Sequence, residues 1–358
     1  MRVLILGDRF AAAAQRQVLE QLLSQLDARR IQAVIAALRA ESDVLIDATL
    51  GSRRAFSFSG AQRLIGLLRK LQIELLHVAE SSAMPTGILG ALYADIPVSV
   101  VCERALLPTE STRLAYTLRR VGWWLVRRFV QRILVPSELV RRNLNALAGV
   151  PLEQISVVYP VYTFPIVESV DRTALGLTQS KNVALIAPEH YDAGYLVAIE
   201  VLERLLRRSV DARLIVIGDG AVFRALHKAA AGLALPIRWF PDRADLPHLL
   251  AACDAVLDCT TQERLPEGLL AAMLAGKPIV APRMAGITEV LEPNVSALIV
   301  TPGDVSDMAL QLNRVLQYES LATRLGRSAY KRAAERFAPE AYARAMTEFF
   351  ETTIYSTR

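Results

Sequence analysis

Short runs of apolar, β-branched residues alternate with longer amphipathic stretches along nearly the whole chain. The apolar runs lack strict alternation with polar positions, which indicates strands covered on both faces, as in a parallel sheet. In the first half the predicted strands are Val3–Leu6, Val44–Ala48, Glu74–Val78, Val98–Cys102, Ile133–Val135 and Ile155–Tyr159. The predicted helices between them are Gln15–Leu26, Ala61–Leu71, Arg113–Val130 and Glu138–Ala148. This spacing predicts a doubly wound α/β domain.

The pattern pauses between Val161 and Lys181, where Pro165 and polar residues occur without periodicity, as is typical of an interdomain linker. The strands predicted after it are Asn182–Ala187, Arg213–Gly218, Ile237–Phe240, Ala255–Asp258, Pro278–Ala281 and Ala297–Val300. The helices predicted there are Tyr195–Leu206, Val222–Ala230, Leu246–Ala252, Glu267–Ala275, Met308–Leu316 and Pro339–Thr353. The sequence thus predicts doubly wound domains at 1–162 and 182–337, a linker at 163–181 and a C-terminal helix within 338–358. We expect the two domains to face each other across a cleft, with ligands at the carboxyl ends of the strands.

Length and composition agree with this two-domain prediction. The chain has 358 residues, of which 53% are hydrophobic and 22% charged, so wholesale disorder is excluded. Its apolar runs are too short for a membrane span, and the opening MRVLILGDRF does not fit a signal peptide. Three cysteines, Cys102, Cys253 and Cys259, show no spacing that suggests disulfides or zinc. We therefore expect a cytoplasmic protein.

The formal net charge of +5 is unevenly distributed. Residues 1–165 hold 20 Lys and Arg against 13 Asp and Glu, whereas the remainder holds 21 against 23. An excess of positive charge in the first half predicts an anionic partner for it. Recognised nucleic-acid motifs do not accompany this charge, so we do not expect nucleic acid to be that partner.

The segment Glu263–Pro278, with the sequence ERLPEGLLAAMLAGKP, leaves a buried strand and enters a helix. Pro266 and Gly268 favour a turn, and Glu267 opens the helix. The unpaired amides at a helix start, with its positive dipole end, form an anion site. Glu263 projects into the same region as an acceptor for sugar hydroxyls. The alternative is simple punctuation, a capped helix that ends at a Gly-Lys-Pro stop.

The segment ERLPEGLLAAMLAGKPIVA resembles the donor site of the retaining, two-domain glycosyltransferases of family four, also called group 1. Those enzymes carry a Glu-x7-Glu motif followed by Ala-Met-Ala-Ala-Gly-Lys-Pro-Val-Val-Ala. Glu263 matches the first Glu of that motif, and Ala271 stands where the second belongs. The resemblance continues in the same order along the chain through VPSELVRRNL (135–144), VIGDGAVFRAL (216–226), LAACDAVLDCT (250–260) and AGITEVLEPNVSALIVTPGD (285–304).

The resemblance implies a GT-B fold whose C-terminal helix crosses back to the first domain. It also implies transfer of a sugar, with retention of configuration, from a nucleotide-sugar donor to a saccharide, glycolipid or other cell-envelope acceptor. The nucleotide sugar is a substrate, and neither a cofactor nor an obligatory metal is expected. The catalytic candidates that follow are Glu263 and Glu103. The donor-site candidates are Glu189, His190, Gly218, Asp219, Gly220, Leu265, Pro266, Glu267 and Gly268, and the acceptor-loop candidates are Gly7, Asp8 and Arg9.

Several positions depart from the family pattern. The segment APEHYDAG (187–194) offers Glu189, or His190 under a one-residue shift, and Ala193 where the family presents an Arg and a Lys to the donor pyrophosphate. The N-terminal loop reads Asp8-Arg9-Phe10 followed by four alanines, in place of a glycine-rich sequence. In VCER (101–104), Cys102 and Glu103 stand where the family often has a His.

Two explanations of these departures remain open. In the first, the enzyme uses a different donor or different anchoring groups, and the cations considered for this role are Arg9, Arg104, His190 and Lys277. In the second, the cleft no longer catalyses and the protein is a binding partner or regulator of an active transferase. We prefer the first explanation, because Glu263, the helix start and Glu289 are in place.

The predicted helix at 113–130 combines arginines with aromatic residues. The candidate membrane contacts on it are Arg119, Arg120, Trp123, Trp124, Arg127 and Arg128. This composition is typical of a helix lying on an anionic lipid surface, which would place the protein peripherally on the inner face of the membrane. The alternative is a solvated helix whose tryptophans pack on the sheet. Adjacent tryptophans point about 100° apart on a helix, so the pair does not share one narrow stripe.

Overall fold

The computed structural model describes most of the chain as two compact units. The described residues are 1–10, 13–39, 47–51, 57–102, 123–124, 126–162, 165, 167, 170–177, 180–188, 192–241, 245–263 and 267–355. The first unit consists of Met1–Val161 together with Pro339–Arg358, and the second consists of Tyr162–Ala338.

The first unit is built on a parallel sheet of seven strands. These are β1 (Arg2–Gly7), β2 (Gln32–Ala37), β3 (Ala48–Thr49), β4 (Leu75–Val78), β5 (Val98–Val101), β6 (Arg132–Val135) and β7 (Ile155–Val157). Their order is β3-β2-β1-β4-β5-β6-β7, so the direction of winding reverses between β1 and β4. The helices of this unit include Ala13–Gln25, Phe58–Lys70, Met84–Ala94, Glu138–Ala148 and Pro339–Tyr355.

Both faces of this sheet are covered, as the uninterrupted apolar runs predict. Leu4 and Leu6 of β1 point into one hydrophobic cluster, whereas Val3 and Ile5 point into a second cluster on the other face. Successive side chains of a strand alternate between faces, so every β1 residue from Val3 to Leu6 is buried.

The helix Pro339–Tyr355 belongs to the first unit and packs on the sheet face that carries Val3 and Ile5. Phe349 and Phe350 place their rings edge-on to the imidazole of His77 on β4, with ring centroids 5.8 and 5.2 Å away. An ion pair of 2.6 Å between Arg30 and Glu351 closes the outer side of this contact. The last helix of the chain is therefore part of the first unit's core.

The second unit contains a parallel sheet of six strands. They are β8 (Lys181–Ile186), β9 (Ala212–Ile217), β10 (Ile237–Phe240), β11 (Ala255–Leu257), β12 (Ile279–Pro282) and β13 (Leu298–Val300). Their order is β10-β9-β8-β11-β12-β13, with the reversal between β8 and β11. The helices include Val197–Arg207, Ala221–Ala229, Leu246–Ala252, Glu267–Leu274, Ala285–Val290, Val305–Gln317 and Glu319–Phe337.

The predicted class, two doubly wound α/β domains with a C-terminal helix returning to the first, is confirmed. Four elements are not predicted by the pattern: β2 and the helices Met84–Ala94, Ala285–Val290 and Glu319–Phe337. The alanine-rich run of β2 has weak strand signals. In Glu319–Phe337, Gly326 resembles a helix breaker, but the structure gives it a packing reason, because an added Cβ would overlap the carbonyl oxygen of Gly276.

None of the helices in the described part of the chain combines the length and the apolar character needed to cross a bilayer.

Candidate functional site

The second sheet brings two loops together at its point of reversal. One loop follows β8 and begins at Ala187; the other follows β11 and begins at Asp258. Because β8 and β11 are parallel neighbours, both loops leave from the carboxyl edge of the sheet. Ligands of doubly wound sheets bind at this kind of position.

A buried carboxylate connects these two loops. Asp192, whose residue surface is 3% exposed, lies in the loop after β8. Its carboxylate accepts hydrogen bonds from the hydroxyls of Thr260 and Thr261, both at 2.7 Å. It also accepts the backbone N–H of Thr261 at 3.1 Å and that of Gly194 at 2.9 Å. Four donors therefore satisfy Asp192, and three of them come from Thr260 and Thr261 across the reversal.

These contacts also determine the charge of Asp192. Burial by itself raises the pKa of the carboxyl group, but the hydrogen bonds from the Thr260 and Thr261 hydroxyls and from the backbone amides of Gly194 and Thr261 outweigh that effect. The pKa of Asp192 therefore lies below its ordinary value. Asp192 is an anion at neutral pH and a pure acceptor.

A second buried pair reinforces the connection. The hydroxyl of Tyr195 donates to the carboxylate of Asp258 at 2.8 Å, and that carboxylate also accepts the N–H of Thr260 at 2.8 Å. Tyr195 and Asp258 are both buried. Each loop thus contributes one carboxylate to the other, which fixes their separation.

Gly194 allows the two loops to approach this closely. A Cβ at this position would overlap the backbone carbonyl oxygen of Cys259 and crowd the side chain of Thr261. Because the first obstacle is backbone, a rotamer change cannot relieve it. Glycine is therefore required at 194 by the contact with the loop after β11.

Glu263 lies at the exposed end of the loop after β11. Its carboxylate accepts the backbone N–H of Ala285, the first residue of the helix Ala285–Val290, at 2.6 Å. Arg332 and Arg336 hold the other end of that helix by donating to the carbonyls of Val290 at 2.6 Å and Glu289 at 2.8 Å. Glu263 is thereby held in place while keeping carboxylate lone pairs for another donor.

The helix predicted to open at Glu267 is present, and it extends to Leu274. An added Cβ on Gly268 would lie 2.8 Å from the Ile186 side chain, so the glycine lets this helix pack against the end of β8. Leu265 and Pro266 lie outside the described residues, as does the side chain of Glu267. Their predicted roles stay predictions.

The loop after β9 reaches the same edge of the sheet. Gly218 follows the last residue of β9 with a φ of 131°, a backbone conformation that favours glycine. Gly220 precedes the helix Ala221–Ala229, and Arg224 of that helix donates to the carbonyl of Asp219 at 2.8 Å. The two glycines therefore present backbone at this position, with the exposed Asp219 between them.

One further candidate, Lys277, does not lie at this edge. Lys277 precedes β12 and lies at the amino edge, where its ammonium donates to the carbonyls of Ala251 and Cys253, both at 2.9 Å. Burial lowers the pKa of Lys277, and the carbonyls that accept its ammonium hydrogen bonds lie at the end of the helix Leu246–Ala252. Lys277 is thus wrong as a candidate anchor for the donor. Glu189 and His190 lie outside the described residues.

Arg283 is a cation at the carboxyl edge that the sequence pattern does not single out. It follows the last residue of β12, its backbone N–H donates to the carbonyl of Val300 at 2.7 Å, and the residue is exposed. It stands two residues before Ala285, whose N–H binds Glu263. The signal available in the sequence is an Arg two residues after the predicted buried strand Pro278–Ala281.

The first unit has its own carboxylate at the reversal between β1 and β4. Glu80, two residues after β4, accepts the backbone N–H groups of Asp8, of Arg9 at 2.9 Å and of Phe10 at 3.4 Å. Asp8 pairs in turn with the guanidinium of Arg39, the Nε of which lies 2.6 Å from Oδ1. The loop predicted to face the acceptor therefore binds an internal anion.

Phe10 shapes the same loop. It adopts a left-handed φ of 52° and its ring is buried against Gly7, where an added Cβ would overlap it. Gly7, Asp8 and Arg9 are thus present as a fixed loop. Glu103, the second predicted catalytic carboxylate, lies outside the described residues, as does Arg104.

The end of the predicted basic helix is described at residues 123–124 and 126–129, which are helical. Trp123 packs on the core of the first unit, whereas Trp124 is 60% exposed. Arg127 and Arg128 are exposed, and the Arg128 guanidinium lies 5.3 Å from the ring centroid of Phe129. Arg119 and Arg120 lie outside the described residues.

Within the described ranges, His, Cys, Asp and Glu side chains do not assemble into a group of three or more suited to a metal ion. The expectation that a metal is not obligatory stays a prediction.

Comparison with known proteins identifies the class of protein that this chain resembles. Residues 181–318 match the family model described as Glycosyl transferases group 1, and residues 15–162 match that described as Glycosyltransferase Family 4. Sulfoquinovosyl transferase of Arabidopsis thaliana is 22% identical over 289 residues, which cover 76% of this chain and 56% of that protein. The 2-deoxystreptamine glucosyltransferase of Streptomyces kanamyceticus is 24% identical over 292 residues, 76% of this chain and 75% of that protein.

Solved structures share the fold. Anabaena HepE in complex with UDP has a TM-score of 0.77 at 19% identity, covering 98% of this chain and all of that one (100%). The lipopolysaccharide outer core galactosyltransferase WaaB, in its apo form, has a TM-score of 0.69 at 15% identity, with 100% of both chains covered. The protein is a glycosyltransferase of GT-B fold. Within that class, the matched models place its two halves with family 4 and with group 1.

Proposed function

We propose that this protein transfers a hexose-type sugar from a nucleotide-sugar donor to a saccharide, glycolipid or other cell-envelope acceptor, with retention of configuration. The observation that carries the proposal is the convergence of the loops after β8, β9 and β11 at the carboxyl edge of the second sheet. The name of one relative, a 2-deoxystreptamine glucosyltransferase, supports a hexose-type donor, and the UDP bound to HepE supports a nucleoside diphosphate as the leaving group.

In this proposal Glu263 binds the donor sugar. Its carboxylate is fixed by the N–H of Ala285 and still has acceptor capacity for sugar hydroxyls. The amides at the start of the helix Glu267–Leu274 and the backbone of Gly218–Gly220 approach the diphosphate. Retaining transfer needs stabilisation of an oxocarbenium-like centre and of the departing diphosphate, which is electrostatic work.

Arg283 supplies a positive charge that the family pattern places elsewhere. Its exposed position after β12, close in sequence to the Glu263–Ala285 contact, suits a cation that compensates a diphosphate. In the first unit, Glu103 and the loop Gly7–Arg9 are proposed to face the acceptor, because that loop leaves the carboxyl edge at the reversal between β1 and β4.

Nucleotide binding provides the first test. We expect at least one of UDP, GDP and ADP, or its sugar conjugates, to raise the melting temperature, because a ligand at 100 times its Kd stabilises a folded protein by about 2.7 kcal/mol. A panel without any shift at millimolar ligand would contradict the donor proposal and favour the alternative of a non-catalytic partner.

Two variants separate the sugar from the diphosphate. Glu263→Gln should bind the nucleoside diphosphate normally but lose about tenfold in affinity for the nucleotide sugar and in transfer rate. Arg283→Met should lose affinity for both ligands. Glu292→Gln is the matched control, because Glu292 lies beyond the opposite end of the helix Ala285–Val290 and pairs with Arg332 at 3.4 Å. Unchanged nucleotide-sugar binding and transfer in Glu263→Gln would remove its assigned role.

We also propose that the first unit contacts an anionic lipid surface through Trp124, Arg127 and Arg128. All three are exposed, while Trp123 and Val126 turn inward, so the arginines and the tryptophan share the outer side of the helix. Co-sedimentation with phosphatidylglycerol-containing vesicles should weaken with added salt and in Trp124→Ala, and should be absent with pure phosphatidylcholine. Vesicle binding that does not change with salt, or equal binding by wild type and Trp124→Ala, would contradict the membrane proposal and favour a solvated helix.

A further inference from the structure

We propose that Asp192 is a positioning residue for the donor site: its buried carboxylate sets the conformation of residues 260–263 and thereby the affinity of this edge for a nucleoside diphosphate. The inference rests on the proposed function, and it assigns to Asp192 a role that neither the sequence motifs nor the matched families name. Asp192 is 3% exposed, so it acts through its neighbours and not by touching the ligand.

The hydrogen bonds divide evenly between its two oxygens. Oδ1 accepts from the N–H of Gly194 at 2.9 Å and from the Thr261 hydroxyl at 2.7 Å. Oδ2 accepts from the Thr260 hydroxyl at 2.7 Å and from the N–H of Thr261 at 3.1 Å. Each oxygen therefore binds the loop after β11, so Asp192 connects the two loops through both of its oxygens.

The network continues from Asp192 toward Glu263. The Thr260 hydroxyl donates to Asp192 and also accepts the backbone N–H of Gln262 at 3.2 Å. Gln262 immediately precedes Glu263, whose carboxylate binds the N–H of Ala285 at 2.6 Å. A chain of short contacts therefore connects the buried carboxylate to the proposed sugar-binding residue. Loss of the contact between Asp192 and Thr260 should therefore displace the Glu263 carboxylate. A binding site misplaced by about 1 Å loses much of its affinity.

The same sheet contains a matched control at its opposite edge. Asp254 precedes β11 and accepts the N–H of Asn182, at the start of β8, at 2.7 Å. It also pairs with Arg172 at 3.1 Å. Asp254 thus bridges the same two strands at their amino edge. Its removal should cost stability without changing the donor site.

The experiment compares wild type with Asp192→Ala, Asp192→Asn and Asp254→Ala. Calorimetric titration uses whichever of UDP, GDP and ADP stabilises the wild type, at a temperature where every variant is folded. We expect Asp192→Ala to bind about tenfold more weakly, Asp254→Ala to bind like wild type, and Asp192→Asn, which keeps one acceptor oxygen, to lie between them. A purely structural role would not separate the two aspartates in this way.

Hydrogen exchange of the ligand-free protein gives a second readout. Peptides covering 258–263 should exchange faster in Asp192→Ala and remain unchanged in Asp254→Ala. If Asp192→Ala does not fold, Thr261→Val removes a single hydroxyl donor and should show smaller changes in the same direction.

Wild-type affinity in folded Asp192→Ala and Thr261→Val, or equal exchange in 258–263, would overturn the inference. If the wild type binds none of the three nucleotides, the proposed function fails, and the exchange comparison still decides whether Asp192 positions the loop.

Discussion

The two units share the order of their central strands, yet they use their points of reversal differently. In the first unit the anion comes from the loop after the second central strand, where Glu80 accepts the amides of residues 8–10 after β1. In the second unit both loops supply one: Asp192 after β8 accepts donors from Thr260 and Thr261, and Asp258 after β11 accepts the Tyr195 hydroxyl. The topology brings the same pair of loops together, and the local sequence decides which loops supply a carboxylate.

The donors differ as well, and that difference has a functional consequence. Glu80 accepts hydrogen bonds from backbone amides of the loop after β1. In many related folds such amides bind a ligand anion, but here they bind an internal carboxylate. Asp192 accepts hydrogen bonds from the hydroxyls of Thr260 and Thr261 and from the amides of Gly194 and Thr261. Gly218 and Gly220 are not among these donors. This contrast favours the second unit as the place where the diphosphate binds.

The largest expected effect distinguishes the glycines at the two reversals. Gly194→Ala places a Cβ against a backbone carbonyl, and should cost the second unit about 3 kcal/mol of unfolding free energy and abolish nucleotide binding. Gly7→Ala meets the Phe10 ring, which is a side chain and not backbone, and should cost the first unit about 1 kcal/mol. Denaturant unfolding followed by Trp239 fluorescence in the second unit, and by Trp123 and Trp124 in the first, measures both. Equal losses would mean that the β8 and β11 loops can separate freely.

A smaller effect tests the carboxylate of the first unit. Glu80→Gln keeps an acceptor oxygen but removes the charge that binds three amides, and should lower the unfolding free energy of the first unit by about 2 kcal/mol. Glu74→Gln serves as the control, since Glu74 accepts the N–H of Arg2 at 2.8 Å in a more exposed position. The control should lose less than half as much. Equal stability of Glu80→Gln and wild type would show that the β1 loop holds its shape without this anion.

The smallest effect is a pH dependence of stability that we expect in the first unit, through His77. Burial lowers the pKa of His77 to about 3, and its Nδ1 lies 2.9 Å from the Ser99 hydroxyl. In the unfolded chain the imidazole of His77 binds a proton near pH 6.5, whereas in the folded chain it stays neutral at that pH. The free energy of unfolding is therefore highest above pH 6.5 and falls as the pH drops below it. The first unit should lose about 1.4 kcal/mol through this group at pH 5.5.

His77→Asn keeps a polar partner for Ser99 and should flatten that dependence, which unfolding measurements at pH 7.5 and 5.5 would show as a difference between variant and wild type. An unchanged pH slope would contradict a neutral, buried imidazole. Trp239 fluorescence, which reports on the second unit, is the internal reference.

Much of the fold follows from the sequence, because strands buried on both faces leave uninterrupted apolar runs such as those of β1 and β8. The strand β2 does not follow, since its alanine-rich run fits a helix equally well. Glu263 and Gly218–Gly220 follow from the family resemblance. Asp192 and Glu80 do not, because their partners lie roughly seventy residues away in the chain and are brought together only by the parallel order of the sheets.

The most direct measurement is hydrogen exchange of the whole chain with and without a saturating nucleoside diphosphate. A donor bound at the carboxyl edge of the second sheet should slow exchange in peptides covering 217–221 and 258–274, and leave the amino-edge residues 251–254 unchanged. Protection confined to the first unit, or none in these peptides at saturation, would contradict the placement of the donor site.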